Sequence, residues 1–302
     1  MKDKIILICG GSGMIGASLS DYLTQSGFNI RILTRQKKSS TPHEQFLWNP
    51  YKEEINDKAL ENVYGVINLA GASIGSHRWS QKRKIEIYNS RILSTRFIIK
   101  CINAKSIQPN LFVSTSAIGI YGNRSNEIIN ENSVLPKEDF LSKLCVDWED
   151  EVSRLDKNIR TMILRIGLVL STEDGLLAKS ILPAKFFLTP VFGNGKQIYS
   201  WIHMQDLINI FYWMITHETA HGVYNAVSIN PVSQAAFSIQ LSKTIHKYIM
   251  SFHIPAFLLK LIIGEFGNSL LYSQHIDCKK LISEGFEFTY PTLPGALEQL
   301  LN

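Results

Sequence analysis

Three glycines near the start of the chain, Gly10, Gly13 and Gly16, form a GxxGxxG pattern that could bind a dinucleotide. The pattern lies between a short apolar run, Ile5–Cys9, and residues 15–23, whose apolar positions have helical spacing. In such a loop one glycine permits the tight turn, the next lets the backbone approach a pyrophosphate, and the third lets the helix pack close to the strand. The first amides of the helix then face the phosphates. Because strand, loop and helix follow in the required order, the motif predicts a dinucleotide site.

The end of the next strand indicates which dinucleotide binds. A protein that selects NAD usually has Asp or Glu about 20 residues on, where it binds the ribose 2′-hydroxyl. Here the strand ends in Leu33, Thr34 and Arg35, and two lysines follow at 37 and 38. A guanidinium suits a 2′-phosphate, which it can contact through two parallel hydrogen bonds. We therefore favour NADP(H) over NAD; the alternative is a solvated basic loop.

The elements that position this motif alternate between strand and helix. Apolar runs at 29–33, 63–69 and 110–113 predict strands, and residues 85–101 have helical spacing. A helix at 142–155 and a strand at 161–170 follow. Buried strands separated by helices form parallel sheets with crossover helices. The sequence thus predicts an α/β fold, a Rossmann-type doubly wound parallel sheet.

The second half departs from this alternation. Strands are predicted at 199–204, 222–227 and 286–290, and a helix at 206–216, with helical stretches elsewhere. We predict an NADP(H)-binding domain over 1–230, with 170–200 contributing to a second lobe, and a smaller C-terminal α/β substrate lobe over 231–302.

Composition excludes several protein classes. The chain has 302 residues, of which 45% are hydrophobic, and a net charge of +5, which suits an ordinary globular protein. Four widely spaced cysteines fit neither a zinc site nor a disulfide scaffold and favour the reducing cytoplasm. No apolar stretch reaches the roughly 18 residues of a membrane span, and the first one is too short for a signal peptide. We expect a cytoplasmic monomer or homodimer with a small-molecule substrate and neither nucleic-acid nor membrane partners.

Further motifs are spread over the whole chain. We divide these motifs into two sets. The first set comprises the glycine loop, Asn68-Leu-Ala-Gly71, Ser114-Thr-Ser-Ala117 with Tyr121-Gly122, and Arg165-Ile-Gly-Leu-Val. The second set comprises Arg78-Trp79, Ser90-Arg91 with Thr95, Trp148-Glu149, Ser200-Trp-Ile-His203 with Asp206, Gly222-Val-Tyr-Asn225, Gly264-Glu265 and Gly285-Phe-Glu-Phe288. The first set resembles the extended short-chain dehydrogenase/reductase superfamily. The complete set resembles its epimerase family, NAD-dependent epimerase/dehydratase-like proteins with a distinctive C-terminal domain.

The resemblance implies a Rossmann-type domain with a small lobe that closes over a substrate cleft. It also implies cofactor contacts beyond the glycine loop, and substrate contacts on the facing side. The cofactor residues are Gly10, Gly13, Met14, Ile15, Gly16, Thr34, Arg35, Leu69, Ala70, Gly71, Glu86, Arg91 and Ser114. The substrate-side residues are Arg78, Trp79, Trp201 and His203, each of which could equally be a solvated or structural side chain.

The catalytic pair of the superfamily is missing. Active members use a Tyr and a Lys four residues later, and the Lys lowers the pKa of the phenol. At the corresponding place this chain has Phe140 and Leu144, and Lys143 is one residue off, about 100° around a helix. Ser116 and Tyr121 are the remaining catalytic candidates; the alternative is that their hydroxyls only satisfy the backbone.

Two further patterns are weaker indications of function. His217 and His221 form an HExxH sequence, but Gly222 and a strand follow directly, so we predict no metal site. The basic run 77–84 could guide an anionic substrate or form a solvated helix face.

Two functions remain open. The first is an NADP(H)-dependent epimerase/dehydratase or oxidoreductase that acts on a small substrate such as a sugar nucleotide or a carbonyl compound. The second is a non-catalytic NADP(H)-binding switch or scaffold.

Overall fold

The structure is a computed structural model, and it describes residues 3–37, 39, 41–104, 108–125, 127–246 and 250–302. Lys38 lies outside the described residues. The strands are β1 (Ile5–Cys9), β2 (Asn29–Thr34), β3 (Glu44–Asn49), β4 (Glu54–Ile55), β5 (Val63–Asn68), β6 (Leu111–Ala117), β7 (Ile128–Ile129), β8 (Arg160–Ile166), β9 (Leu168–Leu170), β10 (Leu188–Phe192), β11 (Ile198–Tyr199), β12 (Trp201–His203), β13 (Gly222–Ala226), β14 (Val232–Ser233), β15 (Met250–Ile254) and β16 (His275–Ile276). The helices are α1 (Met14–Gln25), α2 (Gln81–Asn103), α3 (Phe140–Val152), α4 (Gly175–Lys185), α5 (Met204–Thr216), α6 (Gln234–Ile245), α7 (Ala256–Ile263), α8 (Phe266–Ser269), α9 (Lys279–Ser283) and α10 (Leu293–Leu301), with 3-10 helices at Asp57–Leu60 and Ile118–Tyr121.

An eight-stranded sheet forms the centre, in the order β13-β8-β6-β5-β1-β2-β3-β4. Its strands are parallel except for β4, which runs antiparallel to β3. The predicted Rossmann-type doubly wound fold is confirmed. Strand order reverses between β1 and β5, and ligands of such sheets bind in the crevice beyond the carboxyl ends of the strands at this point.

Alternation along each strand places helices on both faces of the sheet. Ile6 and Ile8 of β1 pack in one core with α1 and α5. Leu7 and Cys9 of the same strand pack in the other core, with α2 and the end of α3. Both faces are thus buried, as the continuous apolar runs predict.

A second lobe has its own apolar core. Leu177 of α4, Phe237 of α6 and Leu297 of α10 share this core with Tyr199 and Trp201. The lobe therefore combines segments from before and after residue 231.

The single strand expected over 161–170 is wrong, because it breaks at Gly167 into β8 and β9. A Cβ on Gly167 would lie 2.6 Å from the Ser200 carbonyl oxygen, so the close approach of two chains requires glycine. Beyond it, β9 leaves the main sheet and pairs with β12.

The strand expected over 286–290 is also wrong. The segment makes no ladder; instead the amides of Thr289 and Tyr290 donate to the two carboxylate oxygens of buried Asp206, at 2.7 and 3.0 Å. Its aromatic side chains Phe286 and Phe288 pack on the main core, which gives the apolar signal of a strand.

No helix of the described residues is long and apolar enough to span a bilayer.

Candidate cofactor and substrate site

A cavity of about 580 Å³ lies at the carboxyl ends of β1, β2 and β5, where the strand order reverses. Seven of the predicted cofactor residues line it. They are Gly10, Gly13, Thr34, Arg35, Leu69, Ala70 and Gly71. We call this space the dinucleotide cavity.

The three glycines of the loop have different physical roles. Gly10 has a φ of +81°, and a Cβ there would lie 2.9 Å from the Leu69 carbonyl. A Cβ on Gly16 would lie 2.5 Å from the Gly10 carbonyl oxygen, so the packing of α1 on the loop requires glycine there. A Cβ on Gly13 would meet only that oxygen, at 3.4 Å. The protein itself therefore leaves the space beside Gly13 open.

The first turn of α1 faces this opening. Gly13 is the N-cap residue, and no side chain caps the helix. Met14, Ile15 and Gly16 do not line the dinucleotide cavity; they can contribute backbone amides, which bind anions at a helix N-terminus.

Arg35 is the charged residue of the dinucleotide cavity. Among the described residues that line it, none is acidic and Arg35 alone carries a charge. The guanidinium is exposed and makes no ion pair within the described part of the chain. The Thr34 hydroxyl is buried and donates to the Gln36 carbonyl oxygen at 2.8 Å, which fixes the turn that presents Arg35.

The wall next to Arg35 was not predicted. Trp48 near the end of β3 lines the dinucleotide cavity together with Pro50 and Tyr51, which follow the strand. The Trp48 ring stacks on Phe97 with a centroid distance of 6.3 Å. A sequence signal exists, because these aromatic residues lie at the carboxyl end of the third strand, at the same edge of the sheet as the glycine loop. Ser90 and Ser94 of α2 also line the cavity.

Arg91 lies directly behind the lining residue Gly71. A Cβ on Gly71 would lie 3.0 Å from the Arg91 guanidinium carbon. The Arg91 guanidinium donates to the carbonyl oxygens of Ala72 and Ile87, at 3.0 and 3.1 Å, and none of the ion pairs between described residues includes it. Burial lowers the pKa of Arg91 to about 10, so the group stays cationic near neutral pH. Its charge is thus held beside the cavity without a carboxylate.

Glu86, in contrast, is paired with a cation of its own helix. Its carboxylate is half exposed and forms an ion pair with Arg83 at 2.7 Å. It does not line the dinucleotide cavity.

The two serines of β6 are buried. Ser114 has zero exposure, and its hydroxyl is 3.4 Å from the Thr115 carbonyl oxygen. The Ser116 hydroxyl is buried without a hydrogen-bond partner among the described residues. A polar group near it is the Cys145 thiol. Burial raises the pKa of this thiol to about 12, and Arg91 and Ser116 oppose that rise. Ser116 is therefore a hydroxyl with unused hydrogen-bonding capacity.

Tyr121 is fully buried, and its hydroxyl is already occupied. It donates to Asn225 Oδ1 at 2.7 Å and accepts from Arg165 Nη1 at 2.8 Å. Arg165 in turn forms a two-point ion pair with Glu149. Burial raises the pKa of Tyr121, and Arg165 opposes that rise. The structure thus places Tyr121 in an internal network and not at a cavity wall.

Phe140 and Leu144 occupy the place of the missing catalytic pair on α3. Phe140 packs edge-to-face on Trp79, with ring centroids 5.2 Å apart, and Leu144 is buried in the same cluster. Lys143 is exposed, as its rotation around the helix predicts. The aromatic ring of Trp79 also packs against Phe266 of the small lobe, so this apolar cluster connects the two lobes.

A second cavity, of about 210 Å³, lies beyond β6 and β8. We call it the lobe cavity, since both lobes supply its walls. The main sheet contributes Ala117 and Ile166, the 3-10 helix after β6 contributes Ile118 and Gly119, and α3 contributes Leu141 and Cys145. The small lobe contributes Leu176, Tyr199, Ser200, Phe266, Leu270, Tyr272 and Gln274.

All four predicted substrate-side residues lie outside the lining of both cavities. Trp201 is fully buried in the lobe core, and its indole N–H donates to the Asn230 carbonyl oxygen. His203 caps α5 by accepting from the Gln205 amide, and its Nε2 is 2.9 Å from Gln299 Oε1. Arg78 is exposed and packs on Gly264. The fourth, Trp79, supports the lobe cavity from behind by donating to the carbonyl oxygen of its lining residue Ile74.

The HExxH sequence does not lie on one helix, because α5 ends at Thr216, one residue before His217. Among the described residues, no cluster of three or more His, Cys, Asp or Glu side chains is arranged to hold a metal ion.

Comparison with known proteins now decides the family. The sequence model of the NAD dependent epimerase/dehydratase family matches residues 6–227. The chain belongs to this family. A further match covers residues 254–300, with a domain of unknown function (DUF1731). The resemblance inferred from the sequence motifs is thereby confirmed.

Relatives match over almost their whole length. The chain is 32% identical over 300 residues to an epimerase family protein of Staphylococcus aureus, covering 99% of each chain. It is 33% identical to the chloroplastic epimerase family protein SDR39U1 homolog of Arabidopsis thaliana, covering 98% of this chain and 86% of that one. Among solved structures, the human epimerase family protein SDR39U1, crystallised with NADPH, superimposes with a TM-score of 0.88 at 24% identity over 98% of both chains.

Membership of the NAD dependent epimerase/dehydratase family supports the prediction of a nicotinamide dinucleotide cofactor. The geometry of the glycine loop fits this family. Packing within the protein requires glycine at positions 10 and 16, whereas the missing side chain of Gly13 leaves open space in which a cofactor could lie. The apolar residues Phe140 and Leu144 are the main departure from the superfamily's catalytic pattern.

Proposed function

We propose that the protein binds NADP(H) in the dinucleotide cavity and catalyses hydride transfer to or from a small substrate. The choice of NADP(H) rests on Arg35. Its guanidinium is exposed, has no carboxylate partner among the described residues, and belongs to a cavity wall whose other described residues are uncharged. The human relative crystallised with NADPH supports the proposal by analogy.

The residues present fit this group. The open space at Gly13, the uncapped N-terminus of α1 and the unpaired charge of Arg91 suit a pyrophosphate, and Arg35 suits the 2′-phosphate. When bound, the nicotinamide supplies or accepts a hydride. Ser116 lies near the carboxyl end of β6, and its unsatisfied hydroxyl is the group we propose to hold the substrate oxygen. In this scheme Tyr121 positions Arg165 and Asn225, and water donates or accepts the proton of the substrate oxygen.

The decisive experiment measures cofactor preference with and without Arg35. Isothermal titration calorimetry of NADPH and NADH against the wild type and Arg35→Ala gives the four dissociation constants. A charge-assisted hydrogen bond contributes about 1.5–3 kcal/mol, so Arg35→Ala should weaken NADPH about 10- to 100-fold and leave NADH nearly unchanged.

The matched control is Lys157→Ala, which removes an exposed cation just before β8, at the opposite edge of the sheet. It should leave both constants unchanged. Equal affinity of the wild type for NADPH and NADH would contradict the assignment of Arg35.

A second function, a non-catalytic NADP(H)-binding switch or scaffold, is favoured by the apolar replacement at Phe140 and Leu144 and by the occupied hydroxyl of Tyr121. The two functions differ in turnover. Substrate-dependent oxidation of NADPH that is lost in Ser116→Ala supports the enzyme, whereas tight NADPH binding with no turnover supports the switch. In either case we propose a cytoplasmic monomer or homodimer, and the four cysteines, all free and buried, suit a reducing compartment.

A further inference from the structure

The lobe cavity has an unusual lining for a protein whose family is described by epimerase and dehydratase chemistry. From it we propose that the substrate is a neutral, mainly apolar carbonyl compound and not a sugar nucleotide. This inference rests on the proposed NADP(H)-dependent function and names the substrate class of that same site.

Charge is the first argument. Among the described residues that line the lobe cavity, none carries a charge. A sugar nucleotide has a pyrophosphate with two negative charges, and an anion buried without a cation or several hydrogen-bond donors is strongly disfavoured. Three cations lie close to lining residues, and each is engaged elsewhere. Lys179 donates to the Gly75 carbonyl oxygen, Lys84 forms an ion pair with Glu265, and Arg91 donates to the carbonyl oxygens of Ala72 and Ile87 behind the dinucleotide cavity.

The second argument is that the polar side chains of the lining already make hydrogen bonds within the protein, so these groups are not free to bind the hydroxyls of a sugar. The Tyr199 hydroxyl donates to the Leu270 carbonyl oxygen at 2.9 Å, and the Ser200 hydroxyl donates to that of Gln274 at 2.7 Å. The Ser269 hydroxyl donates to the Phe266 carbonyl oxygen.

The remaining two polar residues are engaged as well. The side-chain amide of Gln274 donates to the carbonyl oxygens of Ile118 and Gly122, at 2.8 Å each. Burial raises the pKa of the Tyr272 hydroxyl to about 12, and the neighbouring carboxylate of Asp139 adds to that rise, so this hydroxyl stays neutral beside a charged group of the protein. A hexose would bring several hydroxyls into this cavity and would leave most of them without partners, at a cost of about 1–3 kcal/mol each.

Size is the third argument. The lobe cavity measures about 210 Å³, below the roughly 300–1,000 Å³ of typical ligand pockets. Such a space suits a compact apolar molecule and not a sugar with an attached nucleotide.

The position of the cavity allows the reaction. Ala72 and Ser73 line the dinucleotide cavity, and Ile74, the next residue, lines the lobe cavity. Ala117, directly after Ser116, lines it from the other side. In the reductive direction the carbonyl carbon would accept a hydride from NADPH and the carbonyl oxygen a proton from water, which gives an alcohol and NADP⁺.

The test uses the complete protein and begins with binding. NADPH is first titrated alone, so that a failure of the cofactor proposal is seen before any substrate is added. Protein saturated with NADP⁺ is then titrated calorimetrically with cyclohexanone, benzaldehyde and acetophenone, and separately with glucose and UDP-glucose. Turnover is followed by NADPH absorbance with the same compounds.

Two variants connect binding to the lobe cavity. Ala117→Leu adds three carbons to its wall and should weaken carbonyl binding at least about tenfold, with NADPH affinity unchanged. Ala236→Leu adds the same volume on the exposed face of α6 and is the matched control. If Ala117→Leu does not fold, Leu176→Ala enlarges the cavity from the small lobe and should improve the binding of acetophenone relative to cyclohexanone.

Carbonyl binding that depends on these variants supports the proposal. Tighter binding or turnover of UDP-glucose would overturn it. So would a protein that binds NADPH but none of the three carbonyl compounds, and that result would leave the cofactor assignment intact.

Discussion

The open space beside Gly13 gives the sharpest prediction, because fold and cofactor make opposite demands there. In Gly13→Ala the new Cβ would lie 3.4 Å from the Gly10 carbonyl oxygen and would meet nothing else within 4 Å. The backbone at Gly13 has φ −79° and ψ 170°, which alanine adopts freely. Alanine is a poorer N-cap than glycine, but it restricts the unfolded chain. These effects are opposite and each amounts to at most about 1 kcal/mol, so the free energy of unfolding should change by less than that.

The same methyl group would occupy the space in front of the first turn of α1, where we place the pyrophosphate. We expect NADPH affinity to fall at least tenfold, which corresponds to about 1.4 kcal/mol. With NADPH at 100 times the wild-type dissociation constant, the ligand should stabilise the wild type by about 2.7 kcal/mol and the variant by about 1.4 kcal/mol or less.

Gly16→Ala is the contrasting change, six residues after Gly10 in the first turn of α1. Its Cβ would lie 2.5 Å from the Gly10 carbonyl oxygen and 2.6 Å from the Gly11 Cα, so the helix must shift. Overpacking of this kind costs about 1–3 kcal/mol of stability before any ligand is added. Urea unfolding with and without NADPH measures both quantities. A Gly13→Ala protein that binds NADPH like the wild type would refute the assignment of the pyrophosphate to this loop.

Two further predictions concern the joint between the lobes. Asp206→Asn should lower the free energy of unfolding by about 1–3 kcal/mol, because one of the two backbone amides at Thr289 and Tyr290 would lose its acceptor. Urea unfolding measures this, and the control is Asn209→Ala, which removes side-chain bonds to Thr289 and Gln205 but leaves both backbone amides paired. Burial lowers the pKa of His203, so the unfolded chain takes up the proton more readily and stability should fall as the pH drops below about 6.5. Urea unfolding between about pH 7.5 and 5.5 should give a smaller decline for His203→Gln, and an equal decline would contradict this role.

The sequence was sufficient where function depends on backbone geometry and strand order. Gly10, Gly13 and Arg35 follow successive strands, and the carboxyl ends of parallel strands meet at one edge of a sheet, so their neighbourhood could be predicted from local pattern alone. The aromatic wall at Trp48 and Tyr51 follows the same rule and could have been found by applying it to the third strand.

Local pattern was insufficient where a side chain has partners far away in the chain. Tyr121 binds Asn225, 104 residues later, and His203 lies beside Gln299, 96 residues later. A hydroxyl or an imidazole in a motif looks the same in sequence whether it is free for catalysis or occupied by such a partner. The strand expected over 286–290 was wrong for the same reason, since the buried carboxylate of Asp206 replaces a neighbouring strand as acceptor.

The apolar replacement at Phe140 and Leu144 is best understood together with its surroundings. Both side chains pack with Trp79, and Trp79 fixes Ile74 and contacts Phe266, two residues that line the lobe cavity. A lysine in place of Leu144 would be buried in this cluster without a partner. Burial disfavours its charged form, which would lower its pKa and destabilise the folded protein. The loss of the catalytic pair and the apolar lining therefore form one physical unit, and restoring Tyr and Lys alone should destabilise the fold instead of creating an epimerase. Urea unfolding of the Phe140→Tyr and Leu144→Lys double variant should accordingly show a loss of several kcal/mol, and a stable variant would mean that the cluster and the cavity are independent.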